Sequence, residues 1–352
     1  MIGKAVKRIL KDWFLAGMAL AVVLATFFPQ MGQTGGTIRA DILSNWGICA
    51  IFFLHGLGLS TERMWAGMSR WRLHIAVQIM TFILFPLLWL AIRALFGSML
   101  PPALLLGLFY LCAVPSTIAS SVALTAVAKG NVPAAVCNAT LSNILGVFLT
   151  PLLVSLVIQH SGQGGIPVGH TILAIARLLL LPFLIGQAAR PLLGRWFDRH
   201  RKVFAPFDKC VILLLVFSAF CDSVKSGLWT NYGVETIILA FLGAAALLAL
   251  ALLTTTYGSA WLGFDMEDRI VAVMCGSKKS LAGGVPMAKL LFAGNPVLGM
   301  IVLPLMFYHQ LQLFVCSIIA ERYARRQITP GTRPGSTSGT RPARTPPIAD
   351  IG

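Results

Sequence analysis

Two short strings hold the residues best suited to chemistry. The string CGSKKSLAGGVPM (275–287) sets Lys278 and Lys279 side by side between Ser277 and Ser280, with Gly276, Gly283, Gly284 and Pro286 around them. The string VPSTIASSVAL (114–124) places Ser116, Thr117, Ser120 and Ser121 directly after Pro115. Hydroxyls and ammonium groups on a backbone loosened by Gly and Pro suit the holding of a small ion or polar solute. Interrupted helices leave free ends there, which offer carbonyls to cations and N–H groups to anions.

The elements that must position these groups follow from composition. Of 352 residues, 57% are hydrophobic and 11% charged, and the mean hydropathy is +0.81. Soluble chains carry about 25% charged residues, so this chain cannot cover a solvated surface of its size and belongs in lipid. Soluble enzymes and nucleic-acid modules are thereby excluded, despite a formal charge of +16. Cys49, Cys112, Cys137, Cys210, Cys221, Cys275 and Cys316 all fall in apolar stretches without CxxC spacing. They read as small core residues, and neither a disulfide framework nor a metal site is expected.

A membrane-spanning helix needs roughly 20 mainly apolar residues. Ten segments qualify, near 12–29, 42–59, 73–96, 103–128, 132–158, 170–189, 205–226, 233–257, 268–291 and 295–320. The first lacks a small-residue cleavage site and is read as a retained helix. Basic residues orient the bundle. With both termini cytoplasmic, one side collects Lys4, Lys7, Arg8 and Lys11, then Arg63, Arg70 and Arg72, then Lys129, then Arg190, Arg195, Arg199, Arg201, Lys202 and Lys209, then Arg269 and the arginines of the tail. The opposite loops hold only Arg39 and Lys225. The positive charge is thus a topology signal and an attraction to anionic lipid; nucleic acid is not needed to explain it. Residues 326–352 are rich in Pro, Gly, Ser, Thr and Arg and are expected to form a disordered cytoplasmic tail.

The spans divide into halves, 1–160 with spans 1–5 and 161–325 with spans 6–10. An odd number per half gives the second half the opposite orientation. The breaker-rich strings fall in the fourth span of each half, spans 4 and 9. Interrupted segments at matching places in two inverted halves point to a transporter's midplane site, since breaks survive in hydrocarbon only where protein or water covers them. The competing reading is that Gly, Ser and Pro merely allow close helix packing.

The chain resembles the bile acid:sodium symporter family (solute carrier family 10), in particular the branch of its seventh member and bacterial relatives. The match rests on FFLHGLGLS (52–60), LHIAVQIMTFILFP (73–86), PSTIASSVAL (115–124), GNVPAAVCNATLSNILGVFLTPLL (130–153), FCDS (220–223), CGSKKSLAGGVPMAKLLFAG (275–294) and LPLMFYH (303–309). The resemblance implies ten helices in an inverted repeat, with a panel domain of spans 1, 2, 6 and 7. It implies a core domain of spans 3–5 and 8–10, centred on broken, crossing helices 4 and 9. It also implies a secondary transporter of organic anions, usually coupled to sodium.

The departures from the family pattern carry most of the information. Where its sodium-coupled members place a glutamate and a glutamine in span 9, this sequence has Met274 and Lys278. A serine and threonine of span 5 fall on Ala135 and Ala139, with Asn138 nearby as a substitute, and Gln78 matches a glutamine of span 3. The Ser–Asn pair of span 4 becomes Ser120–Ser121. The site has lost a carboxylate and gained an ammonium group. Adjacent intramembrane lysines cost at least a few kcal/mol each unless paired or wetted, and no Asp or Glu lies at their depth. Lys278 is ten residues beyond Asp268, roughly 15 Å along a helix, beyond comfortable snorkelling reach. Lys278 is therefore expected to stand in for a sodium ion, or to carry a coupling proton. Sodium and the proton both remain open as coupling ion, and no other cofactor is expected.

The expected site comprises Ser116, Thr117, Ser120, Ser121, Asn138, Lys278, Lys279 and Ser280, with Gln78 and, on the panel side, His55. His55 would line the cavity or simply make an interhelical hydrogen bond. Arg177 is an intramembrane cation that either attracts an anion or snorkels outward. The overall expectation is an all-α integral protein of the cell's inner membrane that moves a small anionic solute by alternating access and is not an enzyme. Two alternatives compete. One is a membrane regulator locked by its lysines. The other is a lipid-modifying transferase built on Asp198, His200 and Asp208, which lack the spacing such chemistry needs. The oligomeric state is not legible.

Overall fold

A computed structural model describes residues 13–59, 67–160, 168–225, 233–295 and 297–328. The N-terminal basic cluster, Arg63 and the tail from residue 329 onward lie outside the described residues. Within them the chain is helical, with no strand. In order the helices are α1 (Trp13–Phe27), α2 (Ala40–Gly58), α3 (Trp71–Phe96), α4 (Pro102–Ala113), α5 (Ala119–Val127) and α6 (Val132–His160). The second part contributes α7 (Val168–Ile175), α8 (Leu181–Lys225), α9 (Val234–Trp261), α10 (Met266–Gly276), α11 (Leu281–Leu291) and α12 (Leu298–Ile328). Among the described residues six stretches are long and apolar enough to cross a membrane: Ala40–Gly58, Trp71–Phe96, Val132–Ile158, Gly169–His200, Val234–Trp261 and Leu298–Arg325. Large apolar side chains cover the outside as well: Leu20, Trp46, Leu87 and Leu242 are each more than half exposed. Such a surface suits lipid and would aggregate in water.

Helical residues run from Leu181 to Lys225 without a non-helical one between them, in place of the expected loop between spans 6 and 7, but they do not form one straight rod. Residues 187 and 208 would stand about 31 Å apart on a straight helix. Yet Gln187 packs at Gly56, and Asp208 bonds the neighbouring His55. The helix therefore doubles back between them, where Pro191 and Pro206 interrupt its ladder. Its first arm lies unusually close to α2. A Cβ at Gly56 would land on the carbonyl of Phe183, and one at Gly186 on the carbonyl of Phe53, so only glycine fits at this crossing.

Helix α8 packs on both α1 and α2, while α3 to α6 pack with α9 to α12. Helix α6 and the turn after α7, with α8, α11 and α12, join the two groups. Two π turns interrupt the regular ladder, Met80–Leu84 inside α3 and Ala176–Leu180 after α7. The breaks expected in spans 4 and 9 are present. Residues 114–118 separate α4 from α5, because Pro115 cannot continue the ladder, and residues 277–280 separate α10 from α11.

Candidate functional site

The two breaks meet. The Ser280 N–H donates to the Pro115 carbonyl at 2.8 Å, and the Ser116 hydroxyl donates to the Cys275 carbonyl at 2.7 Å. Unpaired backbone in hydrocarbon is costly, and side chains from surrounding helices supply the missing partners. Ser142 accepts from the Ser116 N–H at 2.9 Å, and the Asn143 amide donates to the Ser116 carbonyl at 2.9 Å. The Thr150 hydroxyl caps the Ala113 carbonyl at 2.9 Å. On α12, the Tyr308 hydroxyl donates to the Ser277 carbonyl at 2.6 Å. Gln312 grips the peptide of Lys279 from both sides at 2.8 Å. Ser280 caps α11, its hydroxyl accepting from the Gly283 N–H at 3.1 Å.

Both lysines of the break are fully buried, and they differ in their surroundings. The Lys279 ammonium donates to three carbonyls, Cys112 at 2.7 Å, Thr81 at 2.8 Å and Val114 at 2.9 Å. It also lies 4.0 Å from the centre of the Phe85 ring, on its attractive π face. Cys112 and Val114 belong to the carbonyl end of α4, where the helix dipole favours a cation. The buried Thr81 carbonyl is left free for a different reason. Within the π turn its carbonyl would pair with residue 86, and Pro86 has no N–H to give. A three-donor ammonium thus meets three acceptors. Lys278 has one, the carbonyl of Ser120 at 3.1 Å.

The other expected residues fall into separate groups. Gln78 donates to the Asn138 carbonyl at 3.2 Å and approaches its side-chain oxygen at 3.5 Å, while the Asn138 amide donates to the Ala134 carbonyl. Among the described residues these bonds join α3 to α6 and do not reach the residues of either break. Ser120 donates to Thr117 at 3.3 Å. The Ser121 hydroxyl is buried with no partner, as is the Gln78 side-chain oxygen.

A small cavity of about 20 Å³, room for about one water molecule, opens between the two helix groups. Phe52 and His55 of α2 and Leu179 of the second π turn face Ile118 of the break and Thr140, Asn143 and Ile144 of α6 across it. Among the expected residues only His55 lines this cavity; Lys278 and Lys279 lie off it. The His55 Nε2 also meets Asp208 of α8 at 2.8 Å. Thr140 is 3% exposed and its hydroxyl has no partner. Ser142, Asn143, Thr140 and Gln312 were not singled out from the sequence. Polar side chains recurring within span 5 (Thr140, Ser142, Asn143) were the available signal.

Interrupted helices crossing inside a lipid-facing helical bundle, beside a cavity that separates two packing groups, define a polytopic membrane transporter. The chain belongs to the SBF-like CPA transporter family, which it matches over residues 12–325. It is 47% identical to the protein PA2026 of Pseudomonas aeruginosa over 91% of this chain and 95% of that one. It is 42% identical to the Escherichia coli protein named "Putative symporter YfeH", over 90% and 93% of the two chains. Sodium/bile acid cotransporter 7-B of Xenopus laevis is 31% identical over 89% of this chain and 92% of its own length. The chain is accordingly a multi-pass membrane protein of a transporter family and not an enzyme.

Proposed function

We propose that the chain is a secondary active transporter of a small organic anion, working by alternating access. The observation that carries this reading is the contact between the two breaks beside the cavity. In the proposed architecture ten spans form two inverted five-helix repeats in the inner membrane, with both termini cytoplasmic. The packing of both α1 and α2 on α8 supports a panel that moves against the remaining core. The solute would bind at the crossing of spans 4 and 9, next to the cavity. There the start of α5 offers free N–H groups, the Thr140 hydroxyl lacks a partner, and apolar walls suit a carbon skeleton. The names of the bacterial and vertebrate relatives favour a solute symporter.

Lys278 takes the place of a sodium ion in this reading. Lys279 already has its full set of acceptors, whereas Lys278 has donors to spare beside Ser120. Thermal unfolding of the purified protein with sodium exchanged for choline tests the assignment. A ligand held only by the native state at a hundredfold excess over Kd stabilises by about 2.7 kcal/mol. No sodium response is expected in the wild type, and a sodium-dependent rise in Tm is expected in Lys278→Gln. A saturable sodium rise in the wild type would refute the substitution of ion by lysine. Solute-dependent protection of a cysteine placed at Ser120 separates a transporter from a locked regulator, which would show none.

A further inference from the structure

A second cleft lies apart from the crossing. It opens between α2 and α7, has an empty volume of about 760 Å³, and is closed at one side by Leu290 of α11. Its polar groups are Asn45, His170 and Arg177, and its apolar wall includes Leu173 and Leu178. Arg177 stands in the π turn, and among the described residues its guanidinium has no hydrogen bond and no ion pair. Arg177, Asn45 and His170 are all exposed at this surface, and within an apolar segment long enough to cross a membrane an exposed guanidinium is satisfied by an anion or water. Asn45 and His170 likewise have no partner among the described residues and face the same space.

The character of the cleft narrows the choice of anion. Leu173 is 48% exposed and Trp46, next to Asn45, is 73% exposed, so the lip of the cleft continues into the lipid-facing surface. An exposed tryptophan near the start of a spanning helix marks headgroup level. A guanidinium binds phosphate through paired N–H donors, and the amide and imidazole add donors beside it. The leucines lie where the first methylenes of acyl chains would run.

We propose that this cleft seats the headgroup of an anionic phospholipid, with its phosphate on Arg177. The walls belong to both packing groups: α2 on one side, and on the other α7, which packs on α6 and α11, with Leu290 of α11. A lipid seated there braces the two groups against each other and biases their relative motion. This inference requires only that the chain be a membrane protein, and it stands or falls independently of the solute.

The test is thermal unfolding in detergent with added short-chain phosphatidylglycerol, compared with phosphatidylcholine of the same chains. In the wild type phosphatidylglycerol is expected to raise Tm more. That difference should fall by half or more in Arg177→Gln, return in Arg177→Lys, and survive in Arg195→Gln, a control for the basic stretch on α8. Asn45→Leu, at an exposed position, provides a second variant should Arg177→Gln fail to fold, and is expected to weaken the difference. Retention of the full difference in Arg177→Gln, or in Asn45→Leu should the former not fold, overturns the proposal. Soluble glycerol phosphate stabilising as strongly as the lipid, in an Arg177-dependent way, would overturn it in favour of a soluble anion.

Discussion

At the scale of single residues, Lys278 and Lys279 show how neighbours in a non-helical stretch acquire different work. Three carbonyls surround the Lys279 ammonium, and burial leaves them no other donor. Each buried acceptor left without a donor costs about 1–3 kcal/mol, and relief of the ammonium's own burial offsets part of the sum, which leaves about 3–5 kcal/mol for the three. Lys279→Met is therefore expected to lower stability by about that amount, read as a fall in Tm against wild type. Lys278→Met vacates a single carbonyl and should cost about 1–3 kcal/mol. Equal losses for the two variants would mean that the carbonyl cage does not anchor the crossing. The sequence made both lysines conspicuous, since charge in an apolar run is easily seen. It did not show which carbonyls they reach, because those are freed by backbone irregularities in other helices. Asn138 and Asn143 teach the same point: five residues apart on α6, they differ by more than a full turn. Asn143 reaches the break and Asn138 faces Gln78.

At the scale of elements, the legible features are those with a chemical breaker. Pro115 and the glycines around Ser277 announce the interrupted helices. The π turn of α3 looks in sequence like an ordinary apolar run, and its one clue is Pro86, whose effect lies five residues upstream on Thr81. Pro86→Ala supplies the missing N–H and should draw the Thr81 carbonyl back into the ladder, loosening Lys279. Stability measurements on Pro86→Ala, Lys279→Met and the double variant form a cycle. A coupling above about 0.5 kcal/mol is expected, as for groups in one hydrogen-bond network. Strict additivity would separate the turn from the lysine. The continuity of α8 was hidden for a different reason: Arg190, Arg195 and Arg199 make a solvated stretch read as a loop, although basic residues are good helix formers.

At the scale of the whole molecule, the cavity between the packing groups is where relative motion would show. Phe52 and Ile144 line it from opposite sides. Cysteines placed at both positions, with the exposed Cys210 replaced by Ser, should be bridged by a short bifunctional reagent. Bridging is expected to abolish solute flux in proteoliposomes, with activity returning when a cleavable bridge is cut. Undiminished flux in the bridged protein would rule out motion of one group against the other.

The caged ammonium of Lys279, with Lys278 beside it, also bears on energy supply. Under the proposed function, a cation built into the polypeptide would stay behind when the solute crosses, so each turnover would move the full charge of an anion through the membrane field. At an interior-negative potential of 100 mV that charge is worth about 2.3 kcal/mol, roughly a 50-fold concentration ratio. A sodium-coupled relative can spend its ion gradient on uptake. A carrier with fixed lysines would instead let the voltage drive anions outward, and an imposed potassium diffusion potential should reverse the direction of net flux.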